Sequence, residues 1–166
     1  MRTWKRGRDL LARHFARASR PLDELTRALR DKAFSGADGR EIAITRVPGV
    51  AVFMTSTPDG TPPLLIHHMR HVRSLHERVI LMKIDAMDIP RLDDSERITV
   101  EKLGKGFFSV LVRYGFMEDP DVPAALQACR CFGLAVDPME VSYFLNRETL
   151  IASKRPDLSR WREPLF

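Results

Sequence analysis

The sequence predicts an α/β domain whose mixed β-sheet combines a parallel βαβ unit, antiparallel hairpins and flanking helices. Between residues 43 and 84 a β-rich run, a turn signal, an amphipathic helix and a short apolar run follow one another, which is the order of a βαβ unit. Two alternating runs then meet at the turn Gly104-Lys105-Gly106, as in an antiparallel hairpin. With 166 residues, 44% of them hydrophobic, the chain can bury one core.

Residues 1–34 differ from the rest of the chain in charge. The first 20 residues contain seven Lys or Arg residues and one acidic residue, in a chain whose net charge is +5. Residues 3–18 fit an amphipathic helix with arginines on one face and Leu10, Leu11 and Phe15 on the other. A second helix is predicted from residue 22 to residue 34.

We expect residues 1–34 to form a basic juxtamembrane helical segment, followed by an α/β domain over residues 40–166. Lys and Arg accumulate beside the cytoplasmic ends of spanning helices and favour anionic lipid. A surface helix with a solvated basic face is the alternative. A nucleic-acid partner is not expected, because such proteins usually spread basic residues over a folded face among aromatic side chains.

The first strand of the βαβ unit is predicted from Ala43–Val47 and Val50–Thr55, with a kink or bulge at Pro48-Gly49. Pro58-Asp59-Gly60 is typical of a turn. Thr61 can cap the next helix, which has a proline in its first turn and is predicted to reach about His76. Its predicted buried stripe is Leu65, Met69, Val72 and either Leu75 or His76.

The remaining elements follow from alternation and from Gly and Pro signals. We predict a buried strand at 79–84, a loop at 85–96, a hairpin of 97–103 with 107–116, a helix from 119 to 132 that stops at Gly133, a strand pair of 141–145 with 148–152, and a short helix at 158–162.

Histidines and cysteines could indicate a metal site, but their spacing argues against one. His67 and His71 share a helical face as a zinc pair does, yet His68 stands where a metalloprotease has Glu, and no third ligand is evident. Cys129 and Cys131 are two apart in a predicted helix, so their side chains diverge and we expect no disulfide. We predict neither a metal nor a cofactor.

No set of residues supports catalysis. The glycines around Lys105 join two strands, whereas a P-loop opens a helix. Ser56 and Ser142 lack the Gly-x-Ser-x-Gly pattern of a nucleophilic serine. We therefore expect that the protein is not an enzyme, and a standalone nucleotide-processing enzyme is the least favoured hypothesis.

Several longer motifs resemble the C-terminal tail of the Kup family of bacterial potassium uptake transporters. They are spread over nearly the whole chain, which makes the resemblance more specific than any single-site pattern. The segments are Arg46-Val-Pro-Gly-Val-Ala-Val-Phe-Met-Thr-Ser56, Pro62-Pro-Leu-Leu65, Leu103-Gly-Lys-Gly-Phe107, Arg113-Tyr-Gly-Phe-Met-Glu118, Pro120-Asp-Val-Pro123, Tyr143-Phe-Leu145 and Arg147-Glu-Thr-Leu-Ile151.

The resemblance implies that the intact protein takes up potassium together with protons across the bacterial inner membrane. Coordination of potassium needs polar groups inside spanning helices, and the resemblance implies that these precede Met1. The longest strongly apolar stretches here are far shorter than the roughly 18 residues of a spanning helix. The partner of this domain is then the transmembrane portion of the same transporter, on its cytoplasmic side.

Two functions remain open for such a domain. The first is a regulatory and dimerising module, because some relatives that the chain resembles are thought to respond to cyclic di-AMP, which makes this or another adenine nucleotide a candidate ligand. Ligands of parallel sheets bind at the carboxyl ends of the strands. The residues predicted there are Thr55, Ser56, Thr57, Asp59, Gly60 and Asp85, with Arg113 and Tyr114 adding charge and stacking. The second is a scaffold that forms a homodimer and binds no small ligand.

Overall fold

The computed structural model describes residues 20–21, 33–35, 41–56 and 60–146. In chain order the strands are β1 (Arg20–Pro21), β2 (Ala33–Ser35), β3 (Glu41–Ala43), β4 (Thr45–Met54), β5 (Gly60–Thr61), β6 (Ser74–Met87), β7 (Ile98–Gly104), β8 (Phe107–Gly115) and β9 (Val141–Phe144). The helices are α1 (Pro63–Val72), α2 (Asp94–Arg97) and α3 (Val122–Ala128), and two 3₁₀ helices span Cys129–Phe132 and Pro138–Glu140.

The central sheet has five strands in the order β7-β8-β6-β4-β9. β4, β6, β8 and β9 are parallel, and β7 is antiparallel to β8 at one edge. The predicted α/β class, the βαβ unit β4-α1-β6 and the hairpin β7-β8 are therefore confirmed. The carboxyl ends of the four parallel strands lie at the same end of the sheet. We call this end, which runs across the strands from β8 to β9, the carboxyl edge.

The sheet is the middle of three layers, because both of its faces are covered. On one face, Leu65 and Met69 of α1 belong to a buried cluster with Ala51, Phe53, Leu75, Val79, Leu81 and Phe107. On the other face, Leu126 of α3 and Cys129 belong to a cluster with Val52, Ile80, Met82, Val110, Val112 and Tyr114. Alternate residues of each central strand point to opposite faces, and this explains why residues 50–54 of β4 and 79–82 of β6 are continuously apolar.

The bulge predicted at Pro48-Gly49 is present. The register of β4 against β6 shifts between Val47 and Val50, and Gly49 has a φ of 109°, which a residue with a side chain rarely adopts. The later helix also ends as predicted, because Gly133 has a φ of 80° after the 3₁₀ turn.

Helix α1 is shorter than predicted, and β6 is longer. The helix ends at Val72 because Arg73 adopts a left-handed conformation, with φ 55°. The chain then enters β6 at Ser74, so Leu75 is buried as a strand residue while Val72 is 55% exposed. Thr61 does not cap the helix: it lies in β5, and Pro62 occupies the capping position.

Three further predictions need correction or lie partly outside the described residues. The end of the helix predicted at 22–34 is wrong, because Ala33–Ser35 pairs with Glu41–Ala43 as two antiparallel strands. The loop predicted at 85–96 instead contains the end of β6 and the start of α2. The first basic helix, residues 148–152 and the helix at 158–162 lie outside the described residues. β9 itself pairs in parallel with β4.

Candidate functional site

The predicted site residues that the structure describes all follow or end strands at the carboxyl edge. The Thr55 amide extends the β4–β6 ladder by donating to Met82 O at 2.9 Å. Ser56 is exposed, Gly60 is buried in β5, and Thr57 and Asp59 lie outside the described residues. Gly60 pairs with Pro21, so β1 covers this part of the edge with backbone.

Asp85 and Arg113 are direct neighbours across β6 and β8. The Asp85 carboxylate, however, contacts Lys83 Nζ at 3.3 Å, two residues away on the same face of the sheet. The Arg113 guanidinium turns instead towards β7 and α2. There its Nη1 donates to Thr99 Oγ1 at 3.0 Å and to Glu96 O at 3.2 Å.

Arg113 lines a cleft of about 380 Å³ at this end of the sheet, and we call it the Arg113 cleft. Its walls combine apolar side chains with two hydroxyls, one guanidinium and one carboxylate. They are Met87, Leu92, Ser95, Glu96, Ile98, Thr99 and Arg113. Hydroxyls and a guanidinium are donors to phosphate or carboxylate oxygens, and the apolar wall suits a ring or chain attached to such a group.

Tyr114 does not reach the Arg113 cleft, because neighbouring strand residues face opposite sides of the sheet. Its ring lies in the core cluster beneath α3. Its hydroxyl accepts from the Asp121 amide at 3.1 Å and donates to Asp121 O at 3.0 Å. The structure thus places Tyr114 as a support for the start of α3.

The sequence-predicted residues around β4 and around β8 form two separate groups. Thr55 lies level with Leu111 of β8, and therefore two strands and two residues away from Arg113. This separates the two Cα atoms by roughly 12 Å. One phosphate cannot contact both groups, whereas a ligand with two phosphates or with an extended base could.

Glu118 is the residue that sequence reasoning missed, and it joins the loops that follow β6 and β8. Its carboxylate accepts from Arg97 Nη2 at 2.8 Å, from the Gly115 amide at 2.6 Å and from the Leu92 amide at 3.3 Å. The hydrogen bond from Arg97, followed by those of the two amides, lowers the pKa of Glu118 to about 2. Arg97 also lies over the Tyr114 ring, 5.1 Å from its centre.

Gly115 allows the two loops to approach each other. A Cβ atom at this position would overlap the Pro90 carbonyl. The close approach lets the Phe116 amide donate to Ile89 O at 2.9 Å and the Met117 amide donate to Pro90 O at 3.1 Å. The sequence signal for this arrangement is the Gly-x-x-Glu spacing of 115–118, which places a carboxylate within reach of the glycine amide.

His67, His68 and His71 lie on α1 and do not line the Arg113 cleft. The His68 ring contacts Phe53 and Phe144, with centroids 5.5 and 4.7 Å apart, and burial lowers the pKa of His68. His67 and His71 are exposed. Among residues 20–21, 33–35, 41–56 and 60–146, no three His, Cys, Asp or Glu side chains are grouped to hold a metal ion.

Cys129 and Cys131 are both free thiols. Cys129 is buried beneath α3, and burial raises its pKa to about 11, which favours the protonated thiol at neutral pH. Cys131 is exposed. In the part of the chain that the structure describes, no helix has both the length and the apolar character needed to cross a bilayer.

Comparison with known proteins gives one consistent result. Residues 48–166 match the model of the family described as "K+ potassium transporter C-terminal domain". The chain is 46% identical over 166 residues to the "Probable potassium transport system protein Kup" of Myxococcus xanthus, and 42% identical over 166 residues to the "Probable potassium transport system protein Kup 1" of Paramagnetospirillum magneticum. A relative from Anaeromyxobacter dehalogenans is 47% identical over 171 residues.

All of this chain aligns with each of these three relatives, but it spans only 24% of their length. The names of these relatives describe potassium transport and no catalytic reaction. No solved structure matches the chain.

Proposed function

Because the chain belongs to the potassium transporter C-terminal domain family, we propose that it is the cytoplasmic regulatory and dimerising domain of a potassium:proton symporter in the bacterial inner membrane. Transport of potassium and protons is assigned to the transmembrane portion, since ion pathways through a bilayer need polar groups inside spanning segments. The role left for an α/β domain on the cytoplasmic side is to bind a signal or a second subunit.

The observation that carries the regulatory role is the Arg113 cleft. A half-buried guanidinium beside the hydroxyls of Ser95 and Thr99 is a suitable receptor for an anionic group. The cleft lies at the carboxyl edge, where parallel sheets bind their ligands. We propose an adenine nucleotide as the ligand, with cyclic di-AMP as the first to test. Its second phosphate could extend towards Thr55 and Ser56, roughly 12 Å away.

Ligand-linked stabilisation tests this role. A ligand at 100 times its dissociation constant stabilises the folded state by about 2.7 kcal/mol, which for a domain of this size is a rise of several degrees in Tm. We expect such a rise with cyclic di-AMP or ATP, and we expect Arg113→Gln to abolish the rise whatever its effect on the Tm of the free protein.

The matched control is Arg91→Gln, which removes an exposed arginine from the neighbouring loop and does not touch the cleft. This variant should keep the full ligand-induced shift. An unchanged Tm across the nucleotide panel, or equal loss of the shift in both variants, would reject the Arg113 cleft as a nucleotide site.

A scaffold function is the second candidate, and the edge at β9 favours it. Two large apolar side chains at this edge are exposed, namely Tyr143 in β9 and Leu145 directly after it. Exposed apolar groups beside a sheet edge are typical of a surface that pairs with another chain. Light scattering should then report a dimer that Leu145→Glu dissociates and that Val72→Glu, at an exposed position on α1, leaves intact. A wild-type monomer at micromolar concentration would reject the scaffold.

A further inference from the structure

Three exposed apolar side chains project from the loops that the Glu118 carboxylate holds together. Ile89, Phe116 and Met117 are 41%, 64% and 66% exposed. Their backbones are adjacent, since the Phe116 amide donates to Ile89 O. We call these three residues the Phe116 patch.

Specific contacts fix the loops that carry the Phe116 patch, so that its side chains stay exposed. The Glu118 carboxylate binds the amides on both sides of the patch, at Leu92 and Gly115, and it forms an ion pair with Arg97 whose two side chains are only 17% and 16% exposed. A loose loop could fold a Phe and a Met back onto the protein, but these hydrogen bonds keep them turned outwards. A fixed apolar surface of this kind is typical of a docking site.

The Phe116 patch has an acidic surround. Residues 88–97 and 115–121 contain seven acidic residues and two arginines. One of the arginines, Arg97, is already paired with Glu118 and Asp94. Asp88 and Asp119, within two residues of the patch in sequence, are exposed, and so is Asp93 in the loop that follows Ile89. The chemistry that complements this surface is a basic segment with an apolar face.

The chain itself contains such a segment, and it precedes Arg20, whose position the structure describes. Residues 3–18 combine Leu10, Leu11 and Phe15 with a high density of arginines. Arg20 pairs with Thr61, which lies between the end of β4 and the start of α1 and therefore at the carboxyl edge. From the residue after β4, which is level with Leu111 of β8, Phe116 is two strands and five residues away, or roughly 19 Å. A helix of 16 residues is about 24 Å long, so the segment can span this distance.

We propose that the Phe116 patch and its acidic surround bind the chain's own basic N-terminal segment, residues 3–18. The apolar side chains of the segment cover Phe116 and Met117, and its arginines pair with the exposed aspartates. This interaction does not involve the Arg113 cleft and does not depend on any small ligand. It would connect the carboxyl edge of the sheet directly to the residues that lead into this domain.

Limited trypsin digestion of the full 166-residue chain tests the proposal, because trypsin cleaves after the arginines of the segment. The cleavage rate within residues 2–17 is measured by mass spectrometry and compared with the rate for a free peptide of residues 1–20. When opening is fast, proteolysis follows the population of the open form. We expect the segment to be cleaved roughly 3- to 10-fold more slowly in the chain than in the peptide.

Two variants of the docking surface should remove this protection, and two matched variants should not. Met117→Ser and Asp119→Asn change exposed residues at the Phe116 patch and its surround, so neither should unfold the protein. Met139→Ser and Glu140→Gln make the same chemical changes at exposed positions before β9, at the opposite end of the sheet. We expect the first pair to be cleaved at close to the peptide rate and the second pair to behave as wild type.

Several results would overturn the assignment. The segment could be cleaved as fast as the peptide, or Met117→Ser could be indistinguishable from Met139→Ser. Protection that increases with chain concentration would assign the surface to a second copy. Protection that appears only with vesicles containing phosphatidylglycerol, equally in wild type and Met117→Ser, would show that the segment binds anionic lipid instead.

Discussion

At the scale of single residues, Glu118 determines how the loops after β6 and β8 are held. Its folded-state pKa of about 2 is below the value of about 4.3 expected for an unfolded chain. A depressed carboxyl pKa stabilises the fold at pH values above the unfolded pKa, and this stabilisation is lost as the pH falls towards the folded pKa. The contribution of Glu118 should therefore be complete at pH 5 and above, and it should disappear between about pH 4.3 and pH 2.

The variant Glu118→Gln isolates this effect. Gln can still accept from the Gly115 amide but cannot form the ion pair with Arg97, so we expect a lower free energy of unfolding at pH 7. Urea denaturation at several pH values should show the difference from wild type shrinking below about pH 4.3. Asp119→Asn, at an exposed neighbour, is the control and should change little at pH 7. A difference that stays constant down to pH 2.5 would contradict the assignment.

The candidate site shows which positions and roles of single residues can be predicted from the sequence. Arg113 could be placed at the carboxyl edge because it ends an alternating run that had to be a strand. The alternation also turns Tyr114 to the opposite face, so adjacent residues of one motif have unrelated roles. Local spacing accounts for only one of the three partners of Glu118, the Gly115 amide; the other two, Leu92 and Arg97, lie 26 and 21 residues earlier in the chain.

At the scale of elements, periodicity predicted which segments form helices and strands better than where they end. The apolar pattern from Leu65 to Leu75 fits one continuous helix, yet Arg73 ends α1 with a φ of 55°. No Gly or Asn marks this position, so the end of the helix has no recognisable signal in the sequence. The parallel pairing of β9 with β4 could not be predicted from local pattern either. It depends on a long connection from β8, on one side of β6, to β9, on the other side.

The end of α1 provides a stability prediction. Gly adopts a left-handed conformation without the steric cost of a side chain, so we expect Arg73→Gly to raise the free energy of unfolding by about 1 kcal/mol. His71→Gly, two residues earlier and exposed in the last helical turn, should lower it by about 1 kcal/mol. Urea denaturation of both variants measures the contrast. Equal destabilisation would mean that residue 73 is still helical in solution.

At the scale of the whole molecule, the sheet is the middle layer, and it separates a core beneath α1 from a core beneath α3. Met69 lies in the core beneath α1, whereas Ile80 points to the core beneath α3. Both side chains are fully buried. Since the layers on the two faces touch different residues of the same strands, substitutions in the two cores should not share a cavity.

We therefore expect the stability losses of Met69→Ala and Ile80→Val to add. The first should cost about 2–5 kcal/mol and the second about 0.5–1.5 kcal/mol. In the double variant, urea denaturation should give their sum to within about 0.5 kcal/mol, as for sites without shared partners. Met69→Ala with Leu65→Val is the matched comparison, because those two residues share one cluster and one helix face, so their losses should deviate from additivity. Strong coupling across the sheet would mean that the two layers rearrange together. In that case a ligand or a docked segment at the carboxyl edge could not be assigned to one face of the domain alone.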